Sequence, residues 1–135
     1  MSTPKKPRKP RPFRLTPPEP LESQVQKQIG DFLDWCPDVP LWWRQNVAAG
    51  QLVKEDGTLT QWMRFGFVGC PDILGYLRDG TMLMIEVKKP SVKKARTEQQ
   101  NCIEQAQRYG VLALIARDYS DVKRALDIHF GRISA

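Results

Sequence analysis

The chain has 135 residues, of which 41% are hydrophobic and 27% are charged. This length and composition fit one globular domain, and no apolar run approaches the roughly 20 residues that a membrane-spanning helix needs. The three cysteines are widely spaced and the chain has one histidine, which argues against a zinc site, a disulfide framework and histidine-based catalysis. We therefore expect a soluble, intracellular, single-domain protein.

The net charge of +6 is concentrated at the N-terminus. The first fourteen residues carry six basic side chains and no acid, and the remaining fifteen basic residues equal the fifteen acidic ones. Seven of the eleven prolines lie within residues 1–20. Proline disfavours helix and sheet interiors, so we predict a disordered basic arm at 1–20 and a folded domain at 21–135. The arm could contact a polyanion such as nucleic acid, or could only solubilise the chain.

The first predicted elements are a helix and a strand. Apolar residues recur at helical spacing from Leu21 to Leu33, which predicts a helix that ends near Cys36. Residues 41–47 alternate and are rich in aromatics, as is typical of a strand. Residues 58–67 could form a second strand or a loop.

A β-hairpin is predicted next. Gly69-Cys70-Pro71 indicates a turn, residues 72–77 a strand and residues 82–88 its partner, joined by the hairpin signal Asp79-Gly80. The two strands of the hairpin should therefore pair with each other.

The remaining elements are helix, strand, helix and strand. Thr97 as N-cap with Gln100 at the third helical position predicts a helix that runs to Tyr109. Residues 111–116 form an apolar run typical of a buried strand. Ser120 is predicted to cap a last helix over 121–127, and residues 128–133 to add a strand. The order predicts a mixed α/β fold around a central sheet.

The hairpin carries the residues that suggest chemistry. Side chains alternate along a strand, so Glu86 and Lys88 should share one face while Leu83, Ile85 and Val87 face the core. Asp72 opens the partner strand, and so a second carboxylate can reach the same place.

Two carboxylates suit a hard divalent cation such as Mg²⁺ or Mn²⁺, which polarises a phosphoryl oxygen and acidifies a bound water. A neighbouring lysine suits a negatively charged transition state. The alternative is that Glu86 and Lys88 lie on a solvated strand face and that Asp72 is a turn residue.

The pattern Pro71-Asp72 followed by Glu86-Val87-Lys88 resembles the signature of PD-(D/E)XK nucleases. Flanking stretches at 43–46, 64–66, 69–75 and 97–100 resemble the VRR-NUC branch, in particular its small stand-alone phage and bacterial members. The resemblance covers about residues 21–126. It implies a restriction-endonuclease-like α/β core with a central mixed sheet flanked by helices.

The resemblance also implies a set of site residues. Four positions would bind the metal ion: Glu22 on the opening helix, Asp72, Glu86 and the backbone carbonyl of Val87. The acids would form the catalytic set together with Lys88, the catalytic lysine, and Gln100, a glutamine on the helix after the second strand of the hairpin.

The resemblance to the stand-alone members implies a Mg²⁺- or Mn²⁺-dependent DNA endonuclease. It would act as a homodimer on branched DNA, in the manner of a Holliday junction resolvase in DNA repair or recombination, in the cytoplasm of a bacterium or a phage-infected host. Two alternatives stay open. One is a monomeric nicking or flap nuclease, and the other is a non-catalytic DNA-binding module.

Several further residues are candidate DNA contacts. Those on the first predicted strand or between the hairpin and the next helix are Arg44, Asn46, Lys89, Lys93, Lys94 and Arg96. A polar strand edge and a solvated loop are the alternatives. Trp42 and Trp43 cannot both face the core, so one could contribute to a dimer surface.

Overall fold

The structure is a computed structural model that describes residues 18–45, 49–61, 63–64, 67 and 69–135. Most of the predicted N-terminal arm, at 1–17, and the candidate DNA contact Asn46 therefore lie outside the described residues. No helix within the described ranges is both long and apolar enough to cross a membrane.

The described part of the chain has a helix, five strands and then a helix, a strand and a helix. Its elements, in order, are α1 Glu22–Asp34, β1 Leu41–Arg44, β2 Ala49–Gly50, β3 Met63–Arg64, β4 Ile73–Tyr76, β5 Met82–Val87, α2 Thr97–Arg108, β6 Leu112–Ala116 and α3 Tyr119–His129.

Four of the strands form one mixed sheet in the order β1-β4-β5-β6. The neighbours β1 and β4, and β4 and β5, are antiparallel, whereas β5 and β6 are parallel because α2 connects them. β2 and β3 pair as a separate antiparallel ribbon. The predicted α/β class, with a central mixed sheet flanked by helices, is confirmed.

The main core lies on the sheet face that α1 and α3 cover. Leu83, Ile85 and Val87 of β5 are fully buried there, as their alternation predicted, and they pack with α1 and α3 side chains such as Ile29 and Leu126. α2 covers part of the opposite face through a smaller cluster. The sheet is therefore the middle layer, and the alternate residues of β5 face α2.

Gly30 of α1 makes room for Trp42 of β1. A Cβ atom on Gly30 would lie 2.8 Å from the Trp42 ring, too close for a side chain. The indole Nε1 of Trp42 also donates a hydrogen bond to Asp34 Oδ1, at 2.9 Å. Trp42 thus packs against the core while Trp43 is 41% exposed, which agrees with the expectation that the two tryptophans face opposite sides.

The C-terminal prediction is wrong at two points. α3 begins before Ser120, and its N-cap is Asp118, whose side chain accepts a hydrogen bond from the Asp121 backbone N–H. Residues 128–133 do not form a strand, because α3 continues through His129 and ends in turns. Val122 and Leu126 are buried and Phe130 packs on the same core, so the helical period of four continues where a strand was expected.

Candidate active site

The register of the hairpin brings Asp72 to Glu86. Ile73 of β4 pairs with Ile85 of β5, so the preceding residue on one strand faces the following residue on the other. The backbone N–H of Val87 donates a 2.7 Å hydrogen bond to Asp72 Oδ2. The structure therefore brings the two predicted acids together at one end of the sheet.

Glu86 is buried but incompletely hydrogen-bonded. Only 1% of its surface is exposed. Its Oε1 atom accepts a 2.7 Å hydrogen bond from Gln99 Nε2 and lies 3.4 Å from Lys88 Nζ. Its Oε2 atom is buried and has no hydrogen-bond partner among the described residues. Since buried polar atoms are nearly always paired, the second oxygen of Glu86 is ready to accept a ligand.

The electrostatics of Glu86 follow from this environment. Burial is the main cause that raises the pKa of Glu86 well above its ordinary value, and the neighbouring Asp72 carboxylate raises it further. The Lys88 ammonium acts in the opposite direction without cancelling them. A positive charge beyond that of Lys88 would thus favour the ionised form of Glu86.

Burial also excludes the alternative of a solvated strand face. Lys88 is 8% exposed, and its backbone N–H donates to the Ala116 carbonyl of β6. Glu86 is even more buried. Glu86 and Lys88 share the strand face that alternation predicted, but α2 and the end of the sheet cover this face and exclude water from it.

The Val87 carbonyl points to the same edge of β5 as Asp72. In an extended strand the N–H and C=O of one residue point to the same side, and the Val87 N–H already donates to Asp72. β4 begins at Ile73, so no described β4 residue pairs with Val87 there. The carbonyl thus lies on the Asp72 side of β5, where the resemblance implies a metal ligand.

The glutamine against Glu86 is Gln99, not the predicted Gln100. The Arg96 backbone N–H donates to Gln99 Oε1, and Arg96 is the N-cap of α2, so this helix begins one residue earlier than Thr97 as N-cap would require. One residue turns a helix by about 100°, so Gln100 points elsewhere and its Nε2 donates to Glu104. The helix cap therefore lies one residue earlier than the Thr-Glu-Gln-Gln pattern predicts.

Glu22 is not brought to the two acids. It lies in the first turn of α1 and is exposed. The described residues contain no group of three or more His, Cys, Asp or Glu side chains that could hold one metal ion, so the predicted three-acid set is not assembled. An exposed first-turn glutamate stabilises a helix N-terminus in its own right.

Another acid, Glu19, contacts the loop that follows Lys88. Its carboxylate accepts a hydrogen bond from the backbone N–H of Ser91. Hydrogen bonds from the side chain and then from the backbone of Ser91 lower the pKa of Glu19, and the charge of Lys89 acts in the same direction. Glu19 lies in the proline-rich stretch and has no sequence signal that would have identified it. It connects the start of α1 to the loop beside the site.

Gly69 lets the turn before Asp72 pack on α2. Its φ angle is +83°, a conformation that side chains rarely adopt. A Cβ atom there would lie 2.5 Å from the Glu98 carbonyl oxygen, next to Gln99. The turn that precedes Asp72 and the helix that carries Gln99 are thus in direct contact.

The predicted basic contacts that the structure describes lie in two places, the segment between β5 and α2 and the end of β1. Lys93, Lys94 and Arg96 are exposed in the segment between β5 and α2, and Lys89 is half-buried. Arg44 is also exposed, at the end of β1, and the next residue, Gln45, pairs with the Asp72 carbonyl through its backbone N–H.

No family model, curated protein or solved structure matches this chain.

The oxygen atoms at the end of the hairpin fit a hard divalent cation. Mg²⁺ binds through one or two carboxylates and keeps several waters. Asp72, the unpartnered Oε2 of Glu86 and the Val87 carbonyl could supply three protein oxygens. A cation there would also supply the positive charge that the two neighbouring carboxyl groups lack.

Proposed function

We propose that the protein is a Mg²⁺- or Mn²⁺-dependent DNA endonuclease with a PD-(D/E)XK core of the VRR-NUC type. The observation that carries the proposal is the unpartnered, buried Oε2 of Glu86, a carboxyl group that neighbours Asp72 and whose other oxygen lies 3.4 Å from Lys88 Nζ. Buried polar atoms without partners are costly, about 1–3 kcal/mol each, and are retained where a ligand completes them.

The bound cation would polarise a phosphoryl oxygen and lower the pKa of a coordinated water. Asp72 and Glu86 would hold it, with the Val87 carbonyl as a further oxygen. The hydrogen bond from the Val87 N–H fixes Asp72 Oδ2 in place.

Lys88 places a positive charge beside the two carboxyl groups. Its ammonium is within 3.4 Å of Glu86 Oε1 and largely shielded from water. In such a setting its three N–H donors can orient the attacking water or stabilise the negative charge that develops on the phosphoryl oxygens. Gln99 acts through Glu86 and is a positioning residue.

Branched DNA as the substrate and a homodimer as the active form are the more specific part of the proposal. They follow from the resemblance to stand-alone VRR-NUC proteins alone. A nicking or flap nuclease that acts as a monomer is the alternative, and light scattering at micromolar concentration separates the two.

The test is a cleavage panel. Four-way junction, flap, single-stranded and duplex DNA are incubated with the purified protein and Mg²⁺, Mn²⁺ or EDTA. We expect metal-dependent cleavage that disappears in Asp72→Asn, Glu86→Gln and Lys88→Gln. The matched controls are Asp38→Asn and Lys27→Gln, which make the same chemical changes away from the site. Cleavage that persists in all three site variants, or DNA binding with no cleavage under any condition, would refute the proposal.

A further inference from the structure

A cleft of about 560 Å³ opens beside the acids, between the N-terminal half of α2, the end of β6 and the loop before α2. This volume is in the range of ligand-binding sites. Its wall carries three cationic side chains, Lys93, Lys94 and Arg117, and its α2 side carries the amides of Gln100 and Asn101. We call it the α2–β6 cleft.

The α2–β6 cleft adjoins the candidate catalytic carboxylate. Its apolar lining residue, Ile115, is the cross-strand partner of Glu86 in the parallel pair β5–β6. Paired residues share a sheet face, and adjacent strands are about 4.8 Å apart. Gln100 likewise follows Gln99, which contacts Glu86. The cleft therefore begins at Ile115, on the strand next to that of Glu86, and at Gln100, the residue after the one that contacts Glu86.

Arg117 fixes the lysine-bearing wall of this cleft. Its Nε and Nη2 atoms donate to the Val92 carbonyl at 3.0 and 2.7 Å, and Nη2 also donates to the Lys93 carbonyl at 3.0 Å. These bonds connect the loop after β5 to the end of β6. The loop that leaves Lys88 is thus held as a wall of the cleft.

The charges in the α2–β6 cleft favour an anion. Lys93 and Lys94 are exposed and form no ion pair with any residue in the described ranges. One acid, Glu104, also lines the cleft and accepts a 3.0 Å hydrogen bond from Gln100 Nε2. An anion would therefore bind on the lysine side, away from Glu104.

We infer that the α2–β6 cleft binds the phosphodiester backbone of the nucleotides that flank the scissile phosphate. Lys93 and Lys94 contact the phosphates directly, and Arg117 is a positioning residue that holds them in place. Amide groups such as those of Gln100 and Asn101 can hydrogen-bond to sugar or base edges. The inference rests on the proposed nuclease function and adds a substrate path to it.

The main test measures binding without cleavage. Fluorescence anisotropy with labelled single-stranded and duplex oligonucleotides in EDTA gives the salt dependence of affinity. The salt slope is the slope of the logarithm of the binding constant against the logarithm of the salt concentration. For Lys93→Gln/Lys94→Gln we expect its magnitude to decrease by roughly 1.4 on a single strand and roughly 1.8 on a duplex, as for two lost phosphate contacts. The matched control, Lys27→Gln/Lys123→Gln, removes the same charge from exposed positions on α1 and α3 and should keep the wild-type slope.

Two further variants test the details. Glu104→Gln keeps an acceptor for Gln100 but removes the repulsive charge, so affinity at low salt should rise about twofold. Arg117→Lys should weaken binding in the wild-type background but have little effect in Lys93→Gln/Lys94→Gln, because it acts through those lysines. Additive losses would mean that Arg117 has only a general structural role.

Equal slope changes in both lysine pairs, or none in either, would overturn the inference. Cleavage of DNA in Mg²⁺, measured separately, distinguishes the two proposals. Cleavage with unchanged binding in Lys93→Gln/Lys94→Gln refutes the cleft alone. Lysine-dependent binding with no cleavage refutes the nuclease alone.

Discussion

Two buried acids, Asp38 and Glu86, lie at opposite ends of the β4–β5 hairpin and have opposite environments. Asp38 is 6% exposed and Glu86 is 1% exposed. Asp38 Oδ1 accepts from Arg78 Nε and Arg132 Nη1, both at 3.2 Å, and its Oδ2 accepts from Arg132 Nη2. Glu86 has one lysine at 3.4 Å and one oxygen without a partner.

The pKa shifts of the two acids have opposite signs. Hydrogen bonds from Arg132 and Arg78 lower the pKa of Asp38 in spite of its burial. Burial and the adjacent Asp72 raise the pKa of Glu86 in spite of Lys88. Burial thus disfavours the charged form of both acids, but the arginine hydrogen bonds outweigh it at Asp38, whereas Lys88 does not outweigh it at Glu86.

The difference separates a structural acid from a candidate functional one. Asp38 joins the α1–β1 loop to the hairpin turn and to the C-terminal residues, since the Arg78 backbone N–H also donates to its carbonyl. The Arg78 guanidinium lies 4.0 Å from the Phe130 ring centroid, which further secures this end. Every Asp38 oxygen is satisfied from within the chain, whereas Glu86 keeps capacity for an external ligand, as active-site acids do.

The largest expected effect comes from Glu86→Gln. It should reduce metal-dependent cleavage more than about 100-fold while the melting temperature stays the same or rises, because the amide keeps nearly the shape of a carboxyl group whose ionisation is unfavourable at this buried position. Single-turnover cleavage and thermal unfolding check the two parts. A large loss of stability with retained cleavage would reverse the roles assigned to the two acids.

Asp38→Asn makes the same chemical change at the other end. It should lower the free energy of unfolding by about 2–3 kcal/mol, because two arginines lose their charged acceptor. Cleavage per folded molecule should stay at the wild-type level. Urea unfolding and cleavage below the transition measure both, and a selective loss of cleavage would show that Asp38 is not purely structural.

Gln99→Ala should slow cleavage about 10-fold, since Glu86 Oε1 loses its hydrogen-bond donor. The matched control is Gln107→Ala on the same helix, which removes a 2.8 Å hydrogen bond from Nε2 to the Ala113 carbonyl. Both variants should lose similar stability, but only Gln99→Ala should weaken Mn²⁺ binding in calorimetry. Equal effects on Mn²⁺ binding would contradict the positioning role.

The smallest expected effect is the pH dependence of stability that comes from Asp38. Its pKa in the folded protein is below the ordinary 3.8, so its stabilisation is fully present above that value. The stabilisation is lost as pH falls through the folded pKa. The free energy of unfolding, measured with urea at a series of pH values from 6 downward, should therefore decrease less steeply with falling pH in Asp38→Asn than in wild type. An identical pH dependence in the two proteins would rule out this contribution.

Local patterns were sufficient for much of the fold and for the centre of the site. Alternation along β5 predicted that Glu86 and Lys88 share a face, and the Asp79-Gly80 turn predicted that Asp72 meets them. These features depend on strand geometry and turn chemistry, which a few neighbouring residues determine.

Other features depended on contacts between distant segments. Gln99, and not Gln100, faces Glu86. The reason is that packing and capping place the N-cap of α2 at Arg96, one residue before the predicted N-cap Thr97. Residues 128–133 continued as helix and turns because Phe130 found a place in the core.

By itself the sequence thus predicted that Glu86 and Lys88 share a strand face and that Asp72 comes close to them, since period and turn signals are local. Only the tertiary structure decided which buried acid has basic side chains bonded to both of its carboxylate oxygens. Asp38 meets Arg132 across 94 residues of chain, while Glu86 is buried and left with an unpartnered oxygen. Burial and charge pairing are sums over distant neighbours, and no local pattern contains them.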